Sequence, residues 1–104
     1  MKINRLKGRK RFGQIYRSRY RITGEFLKVF FLPGGKAFMG ITTPRYGGIA
    51  VERNRVKRII RETYRNEFEK FPDNGSILFL LRKCGDRKQI VNEMFDLTRR
   101  VTSA

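Results

Sequence analysis

The sequence predicts one small α/β domain of the α+β kind, with elements in the order α, β, β, α, β, α around a single mixed sheet. Three observations lead there. First, 104 residues suffice for one hydrophobic core and not for two of ordinary size. Second, the apolar residues fall either into helix-spaced sets or into short continuous runs rich in strand formers. Third, the breaks at Pro33-Gly34-Gly35, Gly47-Gly48 and Pro72-Asp73-Asn74-Gly75 are turn-sized, so residues 1–104 read as one unit without linker or repeat. A 39 % hydrophobic content that includes nine Phe and four Tyr is too high for a disordered chain of this charge.

Every charged side chain from Met1 to Arg21 is basic, and Phe12, Ile15, Tyr16 and Tyr20 are helix-spaced, which predicts a short amphipathic helix over about Lys10 to Arg19. The run Phe26, Leu27, Val29, Phe30, Phe31, Leu32 predicts a strand within Glu25 to Leu32. Pro33-Gly34-Gly35-Lys36 then reads as a turn into a second strand, Ala37 to Thr43, and a β-hairpin is the simplest arrangement of the two. Pro44 to Ile49, with two glycines, reads as a loop or as a loop with a short strand segment before the next helix. Periodicity is clearest from Val51 to Phe68, where Val56, Ile59, Ile60, Thr63, Tyr64 and Phe68 recur every three or four residues and predict a helix with one buried face. At ~100° per residue, Arg53, Asn54, Lys57, Arg58, Arg61 and Arg65 form a continuous arc beside that stripe, with Glu62 and Arg55 farther round. Ser76 to Arg82 is a continuous apolar run, as expected of a central strand covered on both faces. After Cys84-Gly85-Asp86, the spacing of Ile90, Met94, Leu97 and Val101 predicts a closing helix.

Charge and residue usage narrow the chemistry. Lys and Arg number 25 against nine acidic residues, a formal +16, which calls for a polyanionic partner. Nucleic acid is the first candidate and an anionic membrane surface the second. No apolar run reaches the roughly 18 residues of a spanning helix, and the basic start lacks the apolar region of a signal peptide, so the expected location is the cytoplasm, with no membrane partner. Cys84 is the sole cysteine, which excludes an intrachain disulfide and a thiolate zinc cluster; it reads as a small hydrophobe, buried or at a strand end. The lack of histidine removes the commonest general base and the commonest nitrogen ligand. Glu62, Glu67 and Glu69 lie on or beside the basic helix and Glu93 and Asp96 on the last one, where a solvated face or local ion pairs with Lys70, Arg99 and Arg100 is the simplest reading. No set of carboxylates converges as a hard cation would need. The glycine pairs lack the lysine spacing of a phosphate loop. Catalytic residues, metal ligands and an organic cofactor are therefore not expected of the polypeptide.

The informative segment is Ala50 to Glu62, where guanidinium forks and an ammonium along one helix wall suit a row of phosphates. Ala50-Val51 followed by Arg53-Asn54-Arg55-x-Lys57-Arg58 resembles the signature of the bacterial ribonuclease P protein family. The likeness runs over nearly the whole chain in order: Leu6-Lys7 and Arg11-Phe12 leading to Tyr16 resemble the family's first helix, and Phe26 to Pro33 its first strand. Gly40-Ile41-Thr42 matches its second strand and Ser76 to Arg82 its later apolar strand. Two departures stand out. Where the family carries a Ser-Lys-Lys-like stretch before Gly-Asn-Ala-Val, this sequence has Pro44-Arg45-Tyr46 and then Gly48-Ile49-Ala50-Val51.

The resemblance implies an α/β sandwich, ribosomal protein S5 domain 2-like, with a left-handed βαβ crossover against the usual hand. It also implies a ribonucleoprotein that removes the 5′ leader of precursor tRNA, in which the RNA subunit catalyses with bound Mg2+ and the protein does not. By the same likeness, Arg53, Asn54, Arg55, Lys57, Arg58 and Arg61 are candidates for contact with the ribonuclease P RNA. Phe12, Tyr16, Phe30 and Arg45 are candidates for the single-stranded leader, whose bases flat rings can stack upon. Partners would be that RNA and precursor tRNA, with no obligate protein partner. The alternatives on residue grounds are a ribosomal-type RNA-binding protein, a DNA-binding protein, and a nuclease acting alone, which the missing acid–base machinery disfavours.

Overall fold

The structure, a computed structural model, describes residues 9–102, with side chains described from residue 13 onward. Helix α1 (Arg9–Tyr16) is followed by strands β1 (Tyr20–Thr23), β2 (Leu27–Pro33) and β3 (Phe38–Thr42) and a 3-10 turn at Arg45–Gly47. Helix α2 (Ala50–Asn66), a second 3-10 turn at Phe68–Lys70, strand β4 (Gly75–Leu81) and helix α3 (Arg87–Thr102) complete the chain. The four strands form one mixed sheet in the order β1-β2-β4-β3, antiparallel except for the β3–β4 pair.

Both faces of this sheet are covered, which is why β2 and β4 read as unbroken apolar runs. On one face α2 and α3 pack Val56, Ile59, Ile60, Tyr64, Ile90, Met94, Leu97 and Val101 against Leu27, Val29, Phe31, Met39, Ile77, Phe79 and Leu81. On the other, Ile15 of α1 meets Phe30 and Leu78, flanked by the half-buried Leu32, Phe38 and Leu80. The predicted elements are thus present, with two corrections.

The expected β2–β3 hairpin does not form. β4 lies between those strands, pairing antiparallel with β2 (Val29 opposite Phe79) and parallel with β3 (Ile41 opposite Phe79). Gly34 and Gly35, both at positive φ, turn the chain away, and the Gly34 amide bonds the Asn74 carbonyl at 2.7 Å instead of closing a turn on β3. A parallel pair needs a long crossover, here supplied by α2, and strand adjacency in sequence carries no signal of it.

The second correction is β1. Tyr20, placed by its spacing on the first helix, begins a four-residue strand whose ring meets Phe31 edge-on at 6.4 Å on the sheet face opposite α1. Ser18 makes the break: its buried hydroxyl donates to the Phe31 carbonyl at 2.5 Å and accepts from the Tyr20 amide at 3.2 Å. The true hairpin is β1–β2, closed by the Gly24 amide on the Leu27 carbonyl at 2.8 Å.

Glu93 departs from the solvated-face reading as well. From α3, its Oε1 accepts the Phe26 and Leu27 amides at 2.8 and 2.6 Å, and its Oε2 accepts the Glu25 amide at 3.2 Å, so one carboxylate satisfies the hairpin loop. A Cβ on Gly24 would stand 2.3 Å from Glu93 Oε1, so only glycine lets the carboxylate approach. Asp86 and Gln89 close a reciprocal cap at the start of α3: the Gln89 amide donates to Asp86 Oδ1 at 2.8 Å and the Asp86 amide to Gln89 Oε1 at 3.0 Å. The local ion pairs expected from the sequence do form at Glu67–Lys70 (3.5 Å), Asp96–Arg99 (3.0 Å) and Asp96–Arg100 (3.4 Å).

Candidate nucleic-acid interface

Helix α2 buries Val56, Ile59, Ile60, Thr63 and Tyr64, and that stripe fixes the direction in which every cation points. The flank toward α3 is neutralised. Arg55 bonds Glu52 through Nε (3.2 Å) and Nη2 (2.8 Å), and its Nη2 also donates to the Gly85 carbonyl at 2.7 Å. The hydrogen bond to Glu52 raises the Arg55 pKa further, against a smaller opposing effect of burial. Glu62 on the same flank pairs with Arg87 at 3.1 Å.

The opposite flank, along the β3 edge of the sheet, carries Asn54, Lys57, Arg58, Arg61 and Arg65, all exposed or half-exposed. Six ion pairs form among the described residues and none includes a member of this set. Glu52, Glu62 and Glu67, the acidic residues on or beside this helix with ion pairs, pair with Arg55, Arg87 and Lys70 instead, and the wall stays positively charged. Arg65, absent from the family signature, belongs to the arc by helical angle alone.

Arg53 behaves differently from its neighbours. Its Nε donates to the Gly48 carbonyl at 2.9 Å and its Nη1 to the Thr43 carbonyl at 3.0 Å, so it ties the start of α2 to the end of β3. Of the six candidates for RNA contact, the structure therefore leaves Asn54, Lys57, Arg58 and Arg61 open and engages Arg53 and Arg55 within the protein. Cys84 faces the same loop, its thiol donating to the Gly47 carbonyl at 3.3 Å. Burial and then the Glu52 charge push the thiol pKa up, with Arg55 and Arg53 pulling the other way, so it remains protonated at neutral pH and a poor nucleophile.

On the other sheet face, Tyr16 is 39 % exposed and lies edge-on to Phe30 at 5.3 Å, with Lys28 Nζ 5.1 Å from the Phe30 ring centre. Phe30 itself is 2 % exposed, and its ring lies beneath Tyr16. Phe12 lies within α1, and its side chain is outside the described residues. Arg45 projects from the 3-10 turn after β3, exposed and beside the end of β3 that Arg53 grips. Of the leader candidates whose side chains are described, Tyr16 carries the exposed ring.

This arrangement can bind phosphates along α2 and offer a ring on the opposite face. Among the described residues, no group of three or more His, Cys, Asp or Glu side chains is placed to hold a metal ion, and no helix is long and apolar enough to cross a membrane.

The family model for Ribonuclease P matches residues 1–102. The chain belongs to that family. The Ribonuclease P protein component of Alkaliphilus oremlandii is 32 % identical over 104 residues, covering 95 % of this chain and 91 % of the relative. That of Desulfovibrio desulfuricans is 34 % identical over 106 residues, covering 93 % and 82 %. Among solved structures, the RNase P protein from Thermotoga maritima superposes with a TM-score of 0.80 at 26 % identity, over 93 % of this chain and 96 % of that one. The RNase P protein from Staphylococcus aureus has the same fold, with a TM-score of 0.80 at 22 % identity over 97 % and 91 %. Family membership makes the chain a ribonuclease P protein component, the protein part of a tRNA-processing ribonucleoprotein.

Proposed function

We propose that this chain binds the ribonuclease P RNA through the outer wall of α2 and holds the 5′ leader of precursor tRNA on the α1 side of the sheet. The observation that carries the reading is the run of Asn54, Lys57, Arg58, Arg61 and Arg65, which no acidic side chain among the described residues neutralises while Arg55 and Arg87 occupy the nearby carboxylates. Such a wall gains affinity for phosphates by releasing condensed counterions. The hydrolysis that frees the mature 5′ end belongs to the RNA, and magnesium supplies charge stabilisation there. The protein's part is to position two RNA strands in the cytoplasm, without chemistry of its own. Arg53 and Arg55 act mainly by shaping the wall.

The test mixes the full chain with its cognate ribonuclease P RNA at low magnesium and follows cleavage of precursor tRNA. Rescue of cleavage is expected. No rescue would replace this reading by a ribosomal-type RNA binder, and cleavage by the protein without RNA would replace it by a nuclease.

For the leader, Tyr16→Ala should weaken binding of leader-bearing precursor about 5-fold while leaving mature tRNA unchanged. That figure takes the lower end of the stacking range because the ring is only partly open. Equal affinity of Tyr16→Ala and Phe12→Ala variants to wild type, in filter binding of both RNAs, would remove the leader from this face.

A further inference from the structure

Four large hydrophobic residues among those described are exposed, and three of them lie together in the loop and first turn of α2: Tyr46 (71 %), Ile49 (71 %) and Val51 (73 %). Burial of such side chains is worth enough that leaving three neighbours in water calls for a reason. Looseness of the loop is not that reason. Arg53 binds the Gly48 and Thr43 carbonyls, Cys84 binds the Gly47 carbonyl, and the Gly47 and Gly48 amides close on Pro44 and Arg45 at 2.9 and 3.3 Å. Gly47 is buried so closely on Leu81 that a Cβ there would stand 3.1 Å from the leucine side chain. The backbone beneath Tyr46 is therefore anchored at several points, and the ring is presented by a pre-ordered loop, which lowers the entropy lost when a partner docks.

The surroundings select the partner. At ~100° per residue, Val51 falls on the same outer arc as Asn54, Arg58 and Arg65, so the apolar patch continues the cationic wall toward the start of α2. Arg45 adjoins Tyr46 and is exposed. An apolar protein surface would have to bury these cations unpaired, whereas an unpaired nucleotide offers a flat base for the ring and a phosphate for the guanidinium.

We propose that Tyr46, with Ile49 and Val51 beside it, is a stacking platform for an unpaired nucleobase of the ribonuclease P RNA, with Arg45 on the adjoining phosphate of that RNA and not on the leader. This rests on the α2 wall facing that RNA. It adds a contact that charge alone does not provide.

The chain contains no Trp, so Tyr46→Trp places a single reporter on the platform. With the full chain and its cognate ribonuclease P RNA, the Trp emission should be quenched at the same RNA concentration that saturates binding. Tyr46→Ala should weaken binding about 5- to 20-fold and Tyr46→Phe less than about 2-fold. The dependence of log K on log[salt] should keep its slope in all three variants, because a neutral ring releases no counterions. Unquenched Trp together with wild-type affinity for Tyr46→Ala would overturn the proposal. So would quenching by precursor tRNA alone, by anionic phosphatidylserine vesicles, or by raising the protein concentration without RNA, which assign the platform to substrate, membrane or a second copy. If Lys57→Ala and Arg58→Ala weaken RNA binding and Tyr46→Ala does not, the platform alone falls. If the wild-type chain does not bind the RNA, the platform and the α2 wall fall together.

Discussion

Replacing Lys57, Arg58 and Arg61 together by alanine should lower affinity for the ribonuclease P RNA about 100-fold near physiological salt. Arg58 is exposed and Lys57 and Arg61 are partly exposed, and none has an ion pair among the described residues, so each contact with phosphate is worth about 1 kcal/mol after screening, and three together approach 3 kcal/mol. The slope of log K against log[salt] should fall by about 2 to 3, as three fewer counterions are released. Stability should change little, since none of the three side chains belongs to the buried core and alanine favours the helix. Titration of labelled RNA at several salt concentrations, with urea unfolding as the control, reads both quantities. A full-strength complex with an unchanged slope would mean that this wall does not face RNA. Arg53 is deliberately outside the set: its bonds to Gly48 and Thr43 make Arg53→Ala a change in loop structure as well as charge.

The second large effect is on folding. Glu93→Ala should cost about 2 to 4 kcal/mol, because three amides at 2.6, 2.8 and 3.2 Å lose one charged acceptor and the hairpin loop loses its tie to α3. The Leu27 and Phe26 amides are inside the structure and cannot all turn to water. Glu93→Gln keeps an acceptor for one pair of amides and should lose about half as much. Urea midpoints at unchanged m-value give the comparison. The folded Glu93→Ala protein should still bind RNA, since α2 is untouched, and a loss below about 0.5 kcal/mol would show that water replaces the carboxylate without penalty.

Helix α2 was legible because its stripe recurs at three- and four-residue intervals over more than two turns, long enough for period and angle to be read together; Val56, Ile59, Ile60, Thr63 and Tyr64 are all buried as their spacing predicts. Strand β1 was hidden by its four-residue length and by Tyr20 standing at helical distance from Tyr16. The roles of Arg53, Arg55 and Glu93 were hidden for another reason. Apart from the Arg55–Glu52 pair, their partners are the backbone groups of Thr43, Gly48, Gly85 and residues 25–27, and a carbonyl or amide has no signature in the sequence. Phe30 shows a third limit: composition reveals that a ring is present but not which side of it is covered.

Residue type and near-neighbour spacing alone account for the surplus of positive charge, the helix that displays it, the lack of histidine and the family signature. Which cations remain open, which strand joins β3, and which exposed rings stand on anchored backbone were decided only by the tertiary structure. Those depend on contacts between residues distant in the chain, where the entropy of loop closure is offset by packing that no local pattern encodes.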